Sequence, residues 1–262
     1  YLFAYTDLLL NKESNDTATE FVRNKIRETV KDPKTAELLC PDNHPIGTKR
    51  LILDSQYYEI FNEDHVELVD VRNAPITEIT ESGIQTTDHH YELDAIAFAT
   101  GFDAMTGAMR EIDIRVNGGP TLDEQWEAGP RTYLGLMVAG LPNLFMITGP
   151  QSPGVKSQMI LSIEWHVDWI ADCLQHMKDN KLNRIEATTE AQENWVKHVK
   201  DVADSTLYPL ANSWYMGVNI PGKPKVFMPY VGGVHTYTKE CDRVVANGYE
   251  GFVMSREEIS VT

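Results

Sequence analysis

The stretch that most constrains the fold is Ala95-Ile-Ala-Phe-Ala-Thr100, which is apolar on both faces and runs straight into Gly101-Phe102-Asp103. A strand with no polar face must be covered on both sides, which predicts a central strand with layers packed above and below it. A second apolar run, Leu144-Phe-Met-Ile-Thr148, ends in a loop from Gly149 to Gln158. Val66 to Val71, Ile76 to Thr80 and Gly83 to Thr86 also read as short strands. Elsewhere the apolar spacing turns helical. Ala18, Phe21, Val22, Ile26 and Val30 follow the capping cluster Glu13-Ser-Asn-Asp16 until Lys31-Asp32-Pro33 stops them. Ile160, Ile163, Val167, Ile170, Cys173 and Leu174 mark a long helix over 159–178, and Thr188 to Leu207 forms another. Helix and strand alternate, so the class is α/β, and ligands are expected in the loops that follow the apolar strands.

Composition narrows the function. A formal charge of -16 repels phosphate backbones, which excludes nucleic acid as a partner and requires a local basic site for any anionic cofactor. No run approaches the roughly 18 apolar residues of a membrane helix, so no membrane partner is expected and a cytoplasmic location is. Cys40, Cys173 and Cys241 have no metal-ligand or CxxC spacing and read as free thiols, and the histidines are assigned to no metal. The opening Tyr1-Leu-Phe-Ala-Tyr5 is apolar and wants burial, so the chain is expected to be cut from a longer one.

Three places carry potential chemistry: the basic pair Lys49-Arg50, the strand end Ala99-Thr100-Gly101-Phe102-Asp103, and the loop Gly149-Pro-Gln-Ser-Pro-Gly154. Taken singly, each has a bland reading as a solvated patch, a turn or a connection. Their order within longer segments separates the readings. Gly47-Thr-Lys-Arg-Leu-Ile-Leu53, Tyr91-Glu-Leu-Asp-Ala-Ile-Ala-Phe-Ala-Thr-Gly-Phe-Asp-Ala104 and Thr132-Tyr-Leu-Gly-Leu136 resemble the type I Baeyer–Villiger monooxygenases. So do Leu141-Pro-Asn-Leu-Phe-Met-Ile-Thr-Gly-Pro150, Ser213-Trp-Tyr-Met-Gly-Val-Asn-Ile-Pro-Gly-Lys223 and Tyr230-Val-Gly-Gly233, in particular the phenylacetone and steroid monooxygenase branch. The resemblance covers essentially all 262 residues.

The resemblance implies a ketone and O2 as substrates, FAD and NADP as cofactors, and an ester or lactone as product. In that reaction an anionic flavin peroxide attacks the carbonyl, and a fixed cation must face the negative oxygen that develops. Arg50 matches the family's catalytic arginine; a guanidinium never deprotonates near neutral pH, whereas a lysine could. Lys49 matches the reader of the NADPH 2′-phosphate, and Trp214 a contact to the nicotinamide end of NADP. Thr100 and Gly101 fall at the flavin, as does Met159, which reads equally as a first-turn core residue. Pro153, Gly154, Val155, Lys156 and Tyr208 match the substrate pocket, although Tyr208 before Pro209 suits packing too. Lys156 departs from an apolar pocket, because a charge there is costly unless it points outward.

By the same resemblance, residues 1–47 end a helical insertion, 48–93 return to an NADP-binding domain and 94–262 complete an FAD-binding domain. The fold is then α/β with parts of two Rossmann-like domains plus the end of that insertion. The family's GxGxxG turns are absent, so the implied partner is an N-terminal FAD-binding half, which also holds the carboxylate that pairs with the arginine. Two other readings stay open: a related flavin monooxygenase acting on nitrogen or sulfur, and a catalytically silent fragment that binds NADP or a protein.

Overall fold

Asn11 starts the first helix by accepting a hydrogen bond from the Ser14 N–H at 3.0 Å, and α1 then runs Lys12–Thr29. The chain describes itself in a computed structural model over residues 5–116 and 118–258. It divides into two units, Tyr1–Phe102 and Asp103–Thr262. The expected cap cluster at 13–16 therefore lies inside α1. Its buried positions are Asn15 and Ile26, with Val30 as the C-cap. Phe21 is 63% exposed, because it sits one residue, about 100°, away from the stripe through Val22 and Ile26. Asp32 caps α2 (Pro33–Leu39) through the Thr35 N–H at 2.8 Å, with Pro33 in the first turn where its missing N–H costs nothing. Ile26, Val30, Ala36 and Cys40 form the core of this helical pair.

The first unit also holds an antiparallel meander, β1 (Ile76–Thr80), β2 (Gly83–Thr86) and β3 (His90–Glu92). Ile79 pairs with Ile84, and Ile84 with Tyr91. Gly83 is dictated by close approach, since a Cβ there would lie 1.8 Å from the Tyr91 carbonyl oxygen. Three expected strands are not strands. Val66 to Val71, Ala95 to Thr100 and Leu144 to Thr148 pair with nothing in a ladder. A run that is apolar on both faces needs neighbours on both sides, and among the described residues only antiparallel pairings form. Phe98 is accordingly 70% exposed.

In the second unit, short α3 (Gly107–Arg110) and α4 (Leu122–Gln125) come first; α4 is closed by a capping box between Thr121 and Glu124. The main frame is α5 (Met159–Asp179), β4 (Arg184–Ala187), α6 (Thr189–Asp204), α7 (Val234–Ala246) and β5 (Phe252–Ser255). The expected helices over 159–178 and from Thr188 are α5 and α6, the latter capped by Thr188 on the Ala191 N–H at 3.1 Å. β4 and β5 pair antiparallel, from Arg184 opposite Ser255 to Ala187 opposite Phe252. The core gathers Trp169 and Cys173 of α5, Trp195 and Val199 of α6, and Tyr237 and Cys241 of α7 around Leu134 and Leu136.

All three cysteines are buried and free. Of Tyr1 to Tyr5 only Tyr5 lies within the described residues, and it is exposed. Among the described residues no helix is long and apolar enough to cross a membrane, and no cluster of His, Cys, Asp and Glu could hold a metal ion. The mixture of helix and strand is α/β, as the pattern predicts.

Candidate functional site

In the first unit the basic pair leaves an anchored turn. Asn15, fully buried on α1, donates to the Leu8 carbonyl at 2.8 Å and the Ile46 carbonyl at 2.9 Å, and accepts from the Ile46 N–H at 3.0 Å. Gly47 follows in the left-handed region (φ 83°), and Thr48, also fully buried, closes the turn by bonding the Pro45 carbonyl through both N–H and hydroxyl. Lys49 emerges half-buried and Arg50 exposed. Burial, and next the Lys49 ammonium, lower the His44 imidazole from its usual value. Among the described residues every arginine except Arg50 and Arg256 is paired with a carboxylate. In a chain of charge -16 an exposed arginine without a carboxylate is a local exception. Thr100 and Gly101 are exposed in the same unit; Gly101 is left-handed (φ 86°), and a Cβ there would meet no atom within 4 Å. That open backbone can receive a flat ring at close range.

The second unit draws four of the quoted segments together. Gln151, left-handed (φ 69°) and buried, accepts from the Thr132 N–H at 2.9 Å and hydroxyl at 2.8 Å, while its amide donates to the Pro130 carbonyl at 3.1 Å. Its backbone N–H meets the Met228 carbonyl at 2.6 Å, and the Tyr230 N–H meets the Ser152 carbonyl at 2.9 Å. Gly149 is packed so closely that a Cβ would lie 2.5 Å from the Gly135 carbonyl. Segments 132–136, 149–154 and 230 thus form one fixed assembly. The Lys223 ammonium, almost fully buried, pairs with Asp103, which ties the first residue of this unit to the 213–223 segment.

Pro153 and Gly154 are buried, and Gly154 to Lys156 form a single 3-10 turn before α5. The side chain of Val155 lies outside the described residues. The Met159 sulfur would be 3.4 Å from a Gly154 Cβ, so the thioether covers that glycine while Met159 stays partly exposed. Lys156 does not point into open solvent. Its ammonium lies 4.0 Å from the Tyr208 ring centroid and 4.2 Å from that of Tyr215. The structure therefore joins the expected pocket residues Lys156 and Tyr208 directly and adds a third, Tyr215, which sequence reasoning does not single out. Burial pushes the Tyr208 phenol up to about 12. Trp214 stands half-buried in the 3-10 turn Trp214–Met216 against Tyr215, ring centroids 4.2 Å apart, and the neighbouring Ser213 hydroxyl is buried with no partner among the described residues.

No family model matches the chain. It is 44% identical to cyclopentanone 1,2-monooxygenase of Comamonas sp. over 97% of its own length and 47% of that protein. The structure of oxidized steroid monooxygenase bound to NADP superposes with a TM-score of 0.88 at 48% identity, over 97% of this chain and 48% of that one. The chain is a relative of the Baeyer–Villiger monooxygenases. The complex of another relative, OTEMO, with FAD and NADP gives a TM-score of 0.91 at 41% identity, over 96% and 46% of the two chains. The chain spans about half the length of these Baeyer–Villiger relatives. The residues present fit dinucleotide cofactors: adjacent cationic side chains without a carboxylate, an open left-handed glycine, and an orphaned buried hydroxyl beside an indole.

Two functional candidates escaped the sequence reading besides Tyr215. Asn15 shapes the turn that presents Arg50, and a polar residue on a helix's buried face was its only signal. His166 was passed over for lack of metal partners, yet it is fully buried and bonded at both ring nitrogens, to the Thr148 N–H at 2.7 Å and the Tyr237 hydroxyl at 2.9 Å.

Proposed function

We propose that this chain is the C-terminal portion of an NADPH- and FAD-dependent Baeyer–Villiger monooxygenase. The net reaction joins a ketone, O2, NADPH and a proton to give an ester or lactone, NADP+ and water. NADPH bound here would supply the hydride and FAD the activated oxygen. In this reading residues 48–93 belong to the NADP-binding domain, 94–262 to the FAD-binding domain, and the partner is an FAD-binding half that the chain itself does not contain.

The observation that carries the reading is Arg50, an exposed guanidinium without a carboxylate, fixed by a buried turn and adjacent to a second such cation. A rigid, permanently charged donor set facing the carbonyl oxygen stabilises the negative charge that grows there during attack. Lys49 beside it offers a mobile point charge suited to a 2′-phosphate. Trp214 presents an aromatic face with an N–H at its edge, which suits the nicotinamide end. Thr100 and Gly101 leave room for the flavin, Met159 borders it, and Pro153, Gly154, Val155, Lys156 and Tyr208 border the ketone.

The test is Arg50→Ala in the complete flavoprotein. Ester formation is expected to fall about 100-fold or more, the scale of removing one charge-stabilising donor, while NADPH still reduces the flavin. Equal loss of both rates would assign Arg50 to cofactor binding. Ester formation unchanged by the substitution would remove Arg50 from charge stabilisation; no ester from the unsubstituted flavoprotein, with nitrogen or sulfur compounds oxygenated instead, would move the protein to the nitrogen- or sulfur-oxidising reading.

A further inference from the structure

We propose that His166 positions the loop that borders the ketone, by holding the backbone of Thr148 at the loop's entrance. The proposal rests on the ketone-oxygenation reading above and adds a positioning residue to it. Fully buried on α5, His166 acts through the backbone and not on a reacting atom.

The loop after Thr148 is one that needs holding. Thr148 (φ 52°) and Gln151 (φ 69°) both lie in the left-handed region, which a β-branched threonine rarely adopts. Gly149 and Gly154 add backbone freedom on either side of Gln151. Downstream, Gln151 and Ser152 are tied to Thr132, Met228 and Tyr230. At the entrance, the Thr148 N–H donates to a side chain, Nδ1 of His166, at 2.7 Å. Thr148 also touches the pocket: a Cβ at Gly154 would lie 3.2 Å from the Thr148 Cβ and 3.4 Å from the Met159 sulfur. A shift of Thr148 is therefore passed to Gly154 and Met159.

The second ring nitrogen fixes the aim of the first. An amide N–H only donates, so Nδ1 accepts and Nε2 carries the ring proton. Nε2 lies 2.9 Å from the Tyr237 hydroxyl, which donates to the Leu134 carbonyl at 2.5 Å. Leu134 leads into the floor of the same loop, since a Cβ at Gly135 would lie 2.7 Å from the Ser152 Cβ and 3.0 Å from the Pro150 carbonyl oxygen. Trp165 boxes the ring in, 5.6 Å from the imidazole and 5.5 Å from the Tyr237 ring. An apolar residue would serve for packing alone, because a buried imidazole is costly without partners. A polar network in which every member is bonded instead specifies one arrangement of the segments it joins. Those segments are the entrance and the floor of the loop, and a misplacement of about 1 Å near reacting atoms costs about 100-fold in rate.

The experiment separates the two nitrogens. Asparagine places its side-chain oxygen where Nδ1 stands, and glutamine places its amide where Nε2 stands. His166→Asn thus keeps the bond to Thr148, whereas His166→Gln keeps the one to Tyr237. Each gives up one buried hydrogen bond, so a merely structural histidine would make the two variants alike in every readout. In the complete flavoprotein, backbone amides of 148–154 should exchange with deuterium about tenfold to a hundredfold faster in His166→Gln, the scale of one buried group left unpaired, and within about threefold of the unsubstituted rate in His166→Asn. Ester formation from 2-octanone, cyclohexanone or acetophenone should follow the same order, with NADPH still reducing the flavin in both variants. Loop exchange or ester formation that His166→Gln leaves intact overturns the proposal, as do equal losses in the two variants. If exchange separates them but the unsubstituted protein turns none of the ketones into ester while NADPH reduces its flavin, His166 keeps its role and the ketone-oxygenation reading fails instead. Should neither variant fold, the unsubstituted protein decides: a Thr148 N–H as slow to exchange as the core amides of α5 supports the proposal, and a freely exchanging one sinks it.

Discussion

Asn15 lies thirty-one residues before Ile46, yet its amide bonds both the N–H and the carbonyl of that residue. An asparagine on the buried face of a helix would be a burden without this pairing; with it, the amide sets the turn from which Lys49 and Arg50 leave. Asn15→Leu removes the partner of three backbone groups, the Leu8 carbonyl and both polar groups of Ile46. It should destabilise the first unit by about 1–3 kcal/mol in urea unfolding and lower ester formation without touching a reacting atom. Lys49→Ala acts differently, since the half-buried ammonium contributes to no fold contact among the described hydrogen bonds and ion pairs. Its expected effect is a rise in the KM for NADPH of about tenfold to a hundredfold with the KM for NADH nearly unchanged, from loss of a charge-assisted contact to phosphate. Equal effects on the two nucleotides would remove Lys49 from 2′-phosphate recognition.

At the scale of elements, α5 and α7 are joined through His166. Nδ1 accepts from the Thr148 N–H, so a neutral ring carries its proton on Nε2 and donates to the Tyr237 hydroxyl, which in turn donates to the Leu134 carbonyl at 2.5 Å. Both ends of this chain are residues in the left-handed region, Thr148 (φ 52°) and Leu134 (φ 59°), which branched side chains rarely adopt. Burial lowers the His166 pKa from 6.5 to about 4. Because the folded pKa is depressed, the neutral ring's stability is fully present above pH 6.5 and is lost as pH falls toward 4, where the unfolded chain binds the extra proton. Urea unfolding of the second unit should therefore lose about 2 kcal/mol between pH 7.5 and 5, and His166→Gln should abolish most of that slope while lowering stability at pH 7.5. A slope unchanged in the variant would assign the acid sensitivity to other groups.

The same elements mark how far the sequence is legible. α5 and α6 follow from apolar spacing, to which the structure adds the Gln158 and Thr188 caps, and β1 and β2 follow from short alternating runs. α7 was missed although Tyr237, Cys241 and Val244 recur at helical spacing, because Gly233 gives it no side-chain cap and β-branched Val234 leads it. β4 and β5 were missed because their pairing crosses about 70 residues, a distance that no local pattern reports. Of the site, Lys49, Arg50, Lys156 and Tyr208 were legible as motif positions. The two-ring cage around Lys156 was not, since it depends on Tyr215 folding back across 59 residues.

On the scale of the molecule, many apolar side chains face water, among them Phe98 and Ile147 of the expected strands that did not form. In the first unit Ile52 is 88% exposed, Leu53 85% and Phe102 88%; in the second, Ile147, Ile160 and Leu161 are exposed. Full burial of one such side chain contributes about 1.5–3 kcal/mol, so covering several exceeds the margin by which a typical domain is stable. Runs such as Ala95 to Thr100, apolar on both faces, acquire a purpose only if strands from elsewhere pair with their backbone. The proposed FAD-binding half is the occupant that would supply them. This chain purified alone should therefore bind a hydrophobic dye strongly and self-associate with rising concentration. Added to a matching FAD-binding half, it should lose the dye signal and gain a flavin absorbance band in a one-to-one complex. A chain that alone is monomeric, unfolds cooperatively and ignores the dye would show that these exposed side chains need no cover. The complementary half would then have to act through the Lys49–Arg50 turn alone.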